Sequence, residues 1–195
     1  MAVVYLNPDG SSSVNGWDAS YSSTPAHLAQ NETSNEWRTA FLSTGKVIFT
    51  LGDFDNTGVA SITKIENILI CGLDARGGSA PVICAIRDMS GGGAGTTLYE
   101  QTFANAAGAG FQTFTGTART TSDGSSAWTD SDLDNLGLFM TATGGPHVHI
   151  IQQFYIKVTY VLAGYGHDVS GLTSSNIGKI NGLATANIGK VSGLD

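Results

Sequence analysis

Residues 147–161, HVHIIQQFYIKVTYV, decide how this chain is read. Val148, Ile150, Phe154, Ile156, Val158 and Tyr160 fall on one side of a two-residue repeat, interrupted by Gln152. His147, His149, Gln153, Tyr155, Lys157 and Thr159 fall on the other, with Ile151 and Val161 as exceptions. A period of two marks a long, half-buried β-strand. Its length makes it a spine of a sheet rather than a peripheral edge. The first set is expected to face the core. His147, His149, Gln153, Tyr155 and Lys157 are expected to face outward, toward water or another subunit.

The residues before the spine read as shorter strands joined by Gly-rich loops. Ala2 to Leu6 is a strand closed by a turn at Asn7-Pro8-Asp9-Gly10, where Pro sets φ and Gly tolerates positive φ. Trp17 and Tyr21 sit in a Ser- and Gly-rich stretch, where they pin the loop to the domain or, alternatively, stack on a sugar. Lys46 to Leu51 alternates, with Val47, Phe49 and Leu51 on one face. Strands follow over Ile62–Leu73, Ala80–Arg87, Thr96–Phe103, Phe111–Arg119 and Leu136–Thr143. Thr129, with Asp132 three residues on, predicts the N-cap of one short helix whose Leu133 and Leu136 face inward. About eight strands at this rhythm predict an all-β fold: a two-sheet antiparallel β-sandwich of jelly-roll type over residues 1–162.

Residues 163–195 are a different kind of polymer. Ser175-Asn-Ile-Gly-Lys-Ile-Asn-Gly-Leu183 recurs eleven residues later as Ala186-Asn-Ile-Gly-Lys-Val-Ser-Gly-Leu194, and Val169-Ser-Gly-Leu172 is a partial earlier copy. Two glycines per unit disfavour a helix by roughly 2 kcal/mol against alanine. The segment reads as an extended arm whose Val169, Leu172, Ile177, Ile180, Leu183, Ile188, Val191 and Leu194 dock on another surface; a disordered tail is the competing reading.

Composition excludes several functions. The net charge of −7 and the scattered nine Lys and Arg argue against nucleic-acid binding. No apolar run approaches a membrane span, and the N-terminal residues lack a signal-peptide pattern. Only 13% of residues are charged, so the surface is polar through hydroxyls and amides, which suits packing against copies or neighbours. Cys71 and Cys84 lie in apolar runs and read as buried thiols, or as a disulfide if their strands pair.

No motif supplies a catalytic or cofactor site. There is no Gly-x-Ser-x-Gly elbow, paired-carboxylate motif or His-Glu-x-x-His pattern. Asp53 to Gly58 opens like a calcium loop, but its twelfth position is Lys64, so it reads as a turn. Asp130, Asp132 and Asp134 read as capping and solvated groups. His147 and His149 have the spacing of two metal ligands, but a third would have to come from copies around a threefold axis. The chain is therefore expected to be no enzyme, with no cofactor and no metal.

The order Pro8-Asp9-Gly10, Gly16-Trp17-Asp18-Ala19-Ser20, Ile62 to Arg76, Ala127-Trp128-Thr129-Asp130-Ser131-Asp132-Leu133 and Gln153 to Tyr160 resembles small β-sandwich structural proteins of tailed bacteriophages. The eleven-residue repeat is similar to short C-terminal repeats of phage and large-virus virion proteins. The resemblance implies a capsid decoration (cement) protein or head fibre, self-associating as a trimer and bound to the major capsid protein or another virion protein. It also implies assembly in the host cytoplasm. The second function class is a tail or spike module that recognises a host glycan, with Trp17, Tyr21, Trp37 or Trp128 as stacking platforms.

Overall fold

The computed structural model describes residues 1–15, 37–38, 45–73, 79–106, 110–142, 148–163, 179–180 and 183–184. Its strands are β1 (Ala2–Leu6), β2 (Pro8–Asn15), β3 (Trp37–Arg38), β4 (Gly45–Leu51), β5 (Val59–Leu73), β6 (Ser79–Asp88), β7 (Thr96–Ala106) and β8 (Gln112–Thr115). After the short helix α1 (Asp130–Asp134) come β9 (Leu136–Ala142), β10 (His149–Leu162), β11 (Lys179–Ile180) and β12 (Leu183–Ala184). One sheet runs β1-β10-β5-β8, with β3 also on β10; the other runs β2-β4-β9-β6-β7. Every ladder between these strands is antiparallel.

The pairing is nested. β6 pairs β7, β5 pairs β8, β4 pairs β9 and β1 pairs β10. That is the pattern of one long hairpin rolled so that successive pairs fall alternately in two sheets, which defines a jelly roll. β2 and β3 are additions at the flanks. The inward faces meet in one core, where Phe49 of β4 touches Phe154 of β10 edge-to-face at 6.2 Å and Phe103 of β7 stacks on Phe114 of β8 at 5.2 Å. Cys71 and Cys84 are both free and buried, on strands of opposite sheets.

β10 is the spine expected: it pairs with β1, β3 and β5. Its alternation, however, is broken. Ile151 lies opposite Cys71 and Gln153 opposite Ile70, so Gln152 is an extra residue in the ladder. The bulge reverses the phase: Ile151 faces the core before it, and Phe154, Ile156 and Val158 after it. An unbroken alternation would have buried the Gln152 amide among apolar side chains at a desolvation cost, and the bulge takes it out of the inward row. Two further register shifts lie toward the end of β10, and Thr63 donates its hydroxyl to the Thr159 carbonyl beside one of them.

Three further expectations are corrected. Pro8-Asp9-Gly10 is the start of edge strand β2, not a turn; its ladder slips a register there, as Pro at an edge permits. The strand expected over Phe111–Arg119 pairs only across Gln112–Thr115, after which Arg119 makes an isolated bridge to Ile65. Ile150 points away from the core, opposite Gly72, because of the Gln152 bulge.

Candidate functional site

The short helix opens one wall of a cleft. Thr129, extended at φ −112° and ψ 166°, is its N-cap. Its hydroxyl accepts from Asp132 N–H, and Asp132 Oδ2 accepts from Thr129 N–H at 2.8 Å, completing the expected capping box. Leu133 and Leu136 are buried and anchor the segment as the spacing predicts. Asp134 accepts from Phe54 N–H at 2.9 Å and Asp130 accepts from the Asn56 side chain. The Asp53–Gly58 turn and the helix are thereby stitched together by the carboxylates that superficially suggest metal ligands. Among the described residues, no group of three or more His, Cys, Asp or Glu is placed to hold a metal ion.

The loop before the helix is organised around Asp123. Its carboxylate accepts the backbone N–H of Ser126 at 2.6 Å and of Ser125 at 2.8 Å, with both serine hydroxyls added. These bonds, the Ser126 backbone first, hold the Asp123 carboxyl well below the usual carboxylate range. Trp128 lies behind the loop. It is 4% exposed, its indole N–H donates to the Arg119 carbonyl at 3.0 Å, and its ring sits 6.4 Å from that of Tyr99. Tyr99 in turn donates its hydroxyl to the Thr121 carbonyl and lies under the Arg119 guanidinium.

The other wall is the β6–β7 connection. Asp88 accepts from Ser90 N–H at 2.8 Å, and Met89 N–H donates to the Asn135 carbonyl at 2.7 Å, clamping this wall to the end of the helix. Gly92, Gly93 and Gly95 take positive φ at the tip, which a side chain would strain. Between the walls lies an open cleft of about 480 Å³. Leu98, Ala127 and Trp128 give it an apolar floor. Hydroxyls of Ser90, Ser122, Ser126, Thr129 and Ser131, with the Asn135 amide, ring it, as do the carboxylates of Asp88, Asp123 and Asp132. No Lys or Arg lines it. Such a surface can accept and donate hydrogen bonds to a hydroxyl-rich ligand while its floor meets C–H groups; it has nothing to neutralise a phosphate.

The residues expected to carry function are dispersed. His149 turns inward, opposite Leu73, and is 0% exposed, so the bulge removes it from the outer face where alternation places it. Gln153, Tyr155 and Lys157 alternate with the core residues Phe154, Ile156 and Val158, but Gln153 and Tyr155 are buried and Lys157 is half-buried. Tyr155 meets Tyr5 edge-to-face at 5.5 Å, and burial, then Tyr5, raises its hydroxyl pKa. Lys157 and Lys64 both approach Glu66, at 3.8 and 3.0 Å. Trp128 is floor and core, not an exposed stacking platform. Trp37 lies in β3 opposite Ile151. In the arm, Ile180 pairs Leu183 between β11 and β12. Trp17, Tyr21, His147, Val169, Leu172, Ile177, Ile188, Val191 and Leu194 lie outside the described residues. The cleft was missed because its walls come from segments about thirty residues apart. The one local signal was the Ser122-Asp123-Gly124-Ser125-Ser126 run just before Trp128.

No protein-family model matches this sequence. No curated protein matches it. Among solved structures, a xylan-binding domain from Paenibacillus barcinonensis is similar at TM-score 0.41 and 12% identity, covering 81% of this chain and 94% of that one. A family 11 carbohydrate-binding module of a Clostridium thermocellum cellulosomal cellulase is similar at TM-score 0.33 and 13% identity, covering 83% and 89%. A module in complex with β-1,4-galactotriose is similar at TM-score 0.37 and 8% identity, covering 74% and 86%. At these scores the jelly-roll assignment stands on the ladders of the chain itself, and the ligands of those proteins say nothing about this one.

Proposed function

We propose that the chain is a non-catalytic jelly-roll recognition module for a neutral or amine-bearing glycan. The observation that carries the reading is the cleft of about 480 Å³ between α1 and the β6–β7 connection, with hydroxyls, an amide and carboxylates around an apolar floor and no cation among its lining. Its volume falls in the range of small-ligand sites. Carboxylates and hydroxyls pair with sugar hydroxyls, while phosphorylated or uronic ligands meet like charge. The test is an oligosaccharide array followed by calorimetric titration with the full chain and with Ser131→Arg. Ser131 is exposed on the helix, its hydroxyl is outside the capping box, and arginine there fills the cleft without touching the core. Affinity for the best sugar should fall at least roughly tenfold. Unchanged affinity in the folded variant would remove the cleft from the account.

A virion structural role, self-associating and bound to a shell protein, is the second reading. It is favoured by the apolar outer row of Val3 and Tyr5 beside Tyr155. It predicts that the full chain raises the thermal stability of assembled capsids and binds no sugar on the array.

A further inference from the structure

One polar residue interrupts the apolar row that β5 turns toward the core. Ile65, Leu69 and Cys71 of that row are core residues; Asn67, opposite the core residue Ile156, stands between them at 6% exposure. A carboxamide brings two N–H donors and an acceptor oxygen, and burying them unpaired costs free energy. The Asn67 backbone carbonyl accepts from Gly116 N–H at 2.8 Å, but among the described residues no group pairs with its side chain. The chain also makes room for that side chain: a Cβ on Gly116 would collide with Asn67 Oδ1.

Asn67 lines a small pocket of about 10 Å³, separate from the cleft beside α1. Cys84 of β6, Tyr99 and Gln101 of β7, and Thr117 and Arg119 beyond the end of β8 are among its other walls. The pocket therefore lies between the two sheets, at a flank where β5 and β7 share no ladder. Thr117 N–H donates to Gln101 Oε1 at 2.8 Å, and the Thr117 hydroxyl donates to the same oxygen at 3.3 Å. Only the oxygen of an amide accepts an N–H, so this pair fixes the Gln101 carboxamide and leaves its NH2 end as a donor. We propose that one ordered water molecule occupies this pocket and bridges the Asn67 carboxamide to the polar groups of Gln101 and Thr117 across it.

Size and chemistry both select water. Room of about 10 Å³ for the centre of a water-sized sphere holds a single water and no larger molecule. Water donates and accepts, so it can serve both the oxygen and the NH2 end of an amide, which an ion of either sign cannot. An apolar pocket of this size would stay dry, but here Asn67, Gln101, Thr117 and Arg119 supply the polar partners that a buried water needs. The water then joins β5 to β7 through hydrogen bonds that neither strand makes to the other directly. It also pins residues 116–119. Within that segment Arg119 exchanges both backbone bonds with Ile65, and its carbonyl holds the Trp128 indole under the cleft.

Magnetic relaxation dispersion of water oxygen-17 counts long-lived internal waters, and comparing the full chain with Asn67→Leu and Thr115→Val tests the site. Leucine branches at Cγ as asparagine does but offers no polar group. The parent amplitude should exceed that of Asn67→Leu by one long-lived water. Thr115 is exposed on β8 and does not line the pocket, so Thr115→Val should match the parent. A measurement on the parent alone keeps the test decisive should Asn67→Leu fail to fold. The Asn67 side-chain N–H protons should show cross-relaxation to water of opposite sign in the laboratory and rotating frames, the mark of a long-lived contact. Equal amplitudes for the parent and a folded Asn67→Leu, no such cross-relaxation, or a crystal structure in which a protein group bonds the Asn67 carboxamide directly would each overturn the proposal.

Discussion

Replacing Ile151 with alanine should destabilise the fold far more than replacing Ile150, although a plain two-residue alternation demands the reverse. Ile151 is 0% exposed and sits in the core opposite Cys71, whereas Ile150 is partly exposed opposite Gly72, which offers no side chain to pack on. Truncating a fully enclosed isoleucine to alanine costs about 2–5 kcal/mol, from lost transfer energy and the cavity left behind. At the outer position the cost should stay below about 1.5 kcal/mol, because much of the side chain already meets water. Against a usual total stability of about 5–15 kcal/mol the difference is large. Equilibrium urea unfolding reads it directly. With a slope of about 2 kcal/mol per M, Ile151→Ala should lower the midpoint by roughly 1–2.5 M and Ile150→Ala by less than about 0.75 M. Equal shifts, or a larger one for Ile150→Ala, would mean that β10 runs without its bulge and that His149 faces outward.

Gly116→Ala should cost about 1–3 kcal/mol in the same assay, because a Cβ there would collide with the side-chain Oδ1 of the buried Asn67, whose backbone carbonyl accepts from Gly116 N–H. Cys71 and Cys84 should resist alkylation at pH 8 in the folded chain and react at once in denaturant: burial pushes the Cys71 thiol up to about 12, and burial followed by proximity to Cys71 raises that of Cys84. By linkage, the same raised values mean that their contribution to stability is full below the unfolded thiol pKa of about 8.5 and declines as pH rises toward 12. Asp123→Asn should loosen the cleft loop, read as lower exchange protection of the Ser125 and Ser126 amides at pH 7. The folded Asp123 carboxyl titrates below its unfolded value, so its ordering effect is present above about pH 4 and lost as pH falls below that; parent and variant should converge in acid.

The spine strand, the helix cap and the apolar faces of β4 and β6 were legible because each rests on local periodicity or on a reciprocal side-chain pair. What escaped is set by tertiary contacts. The Gln152 bulge keeps that amide out of the inward row and turns the His149 imidazole inward instead, and no residue near it signals which of the two the strand will bury. Pro8 and Gly10 are turn formers, yet an edge strand tolerates both, and whether a strand is an edge is a property of the finished sheet. The nested order of the jelly roll depends on pairings across the whole chain, between β1 and β10 above all. For the site, Trp128 was one of four aromatic residues offered as sugar-stacking platforms, but its indole N–H is spent on the Arg119 carbonyl and its ring is buried. The polar lining of the cleft comes from Ser and Asp residues that, taken singly, have the look of turn and cap residues; several of them are also that.

The central claim is that the cleft beside α1 receives a sugar, and amide chemical-shift mapping with the best oligosaccharide tests it most directly. The account predicts saturable shifts centred on Asp88–Ser90 and Ser122–Asn135, with the outer faces of both sheets unmoved. Shifts centred on the outer face around Tyr5, Tyr155 and Lys157, or no saturable shift with any glycan, would contradict it.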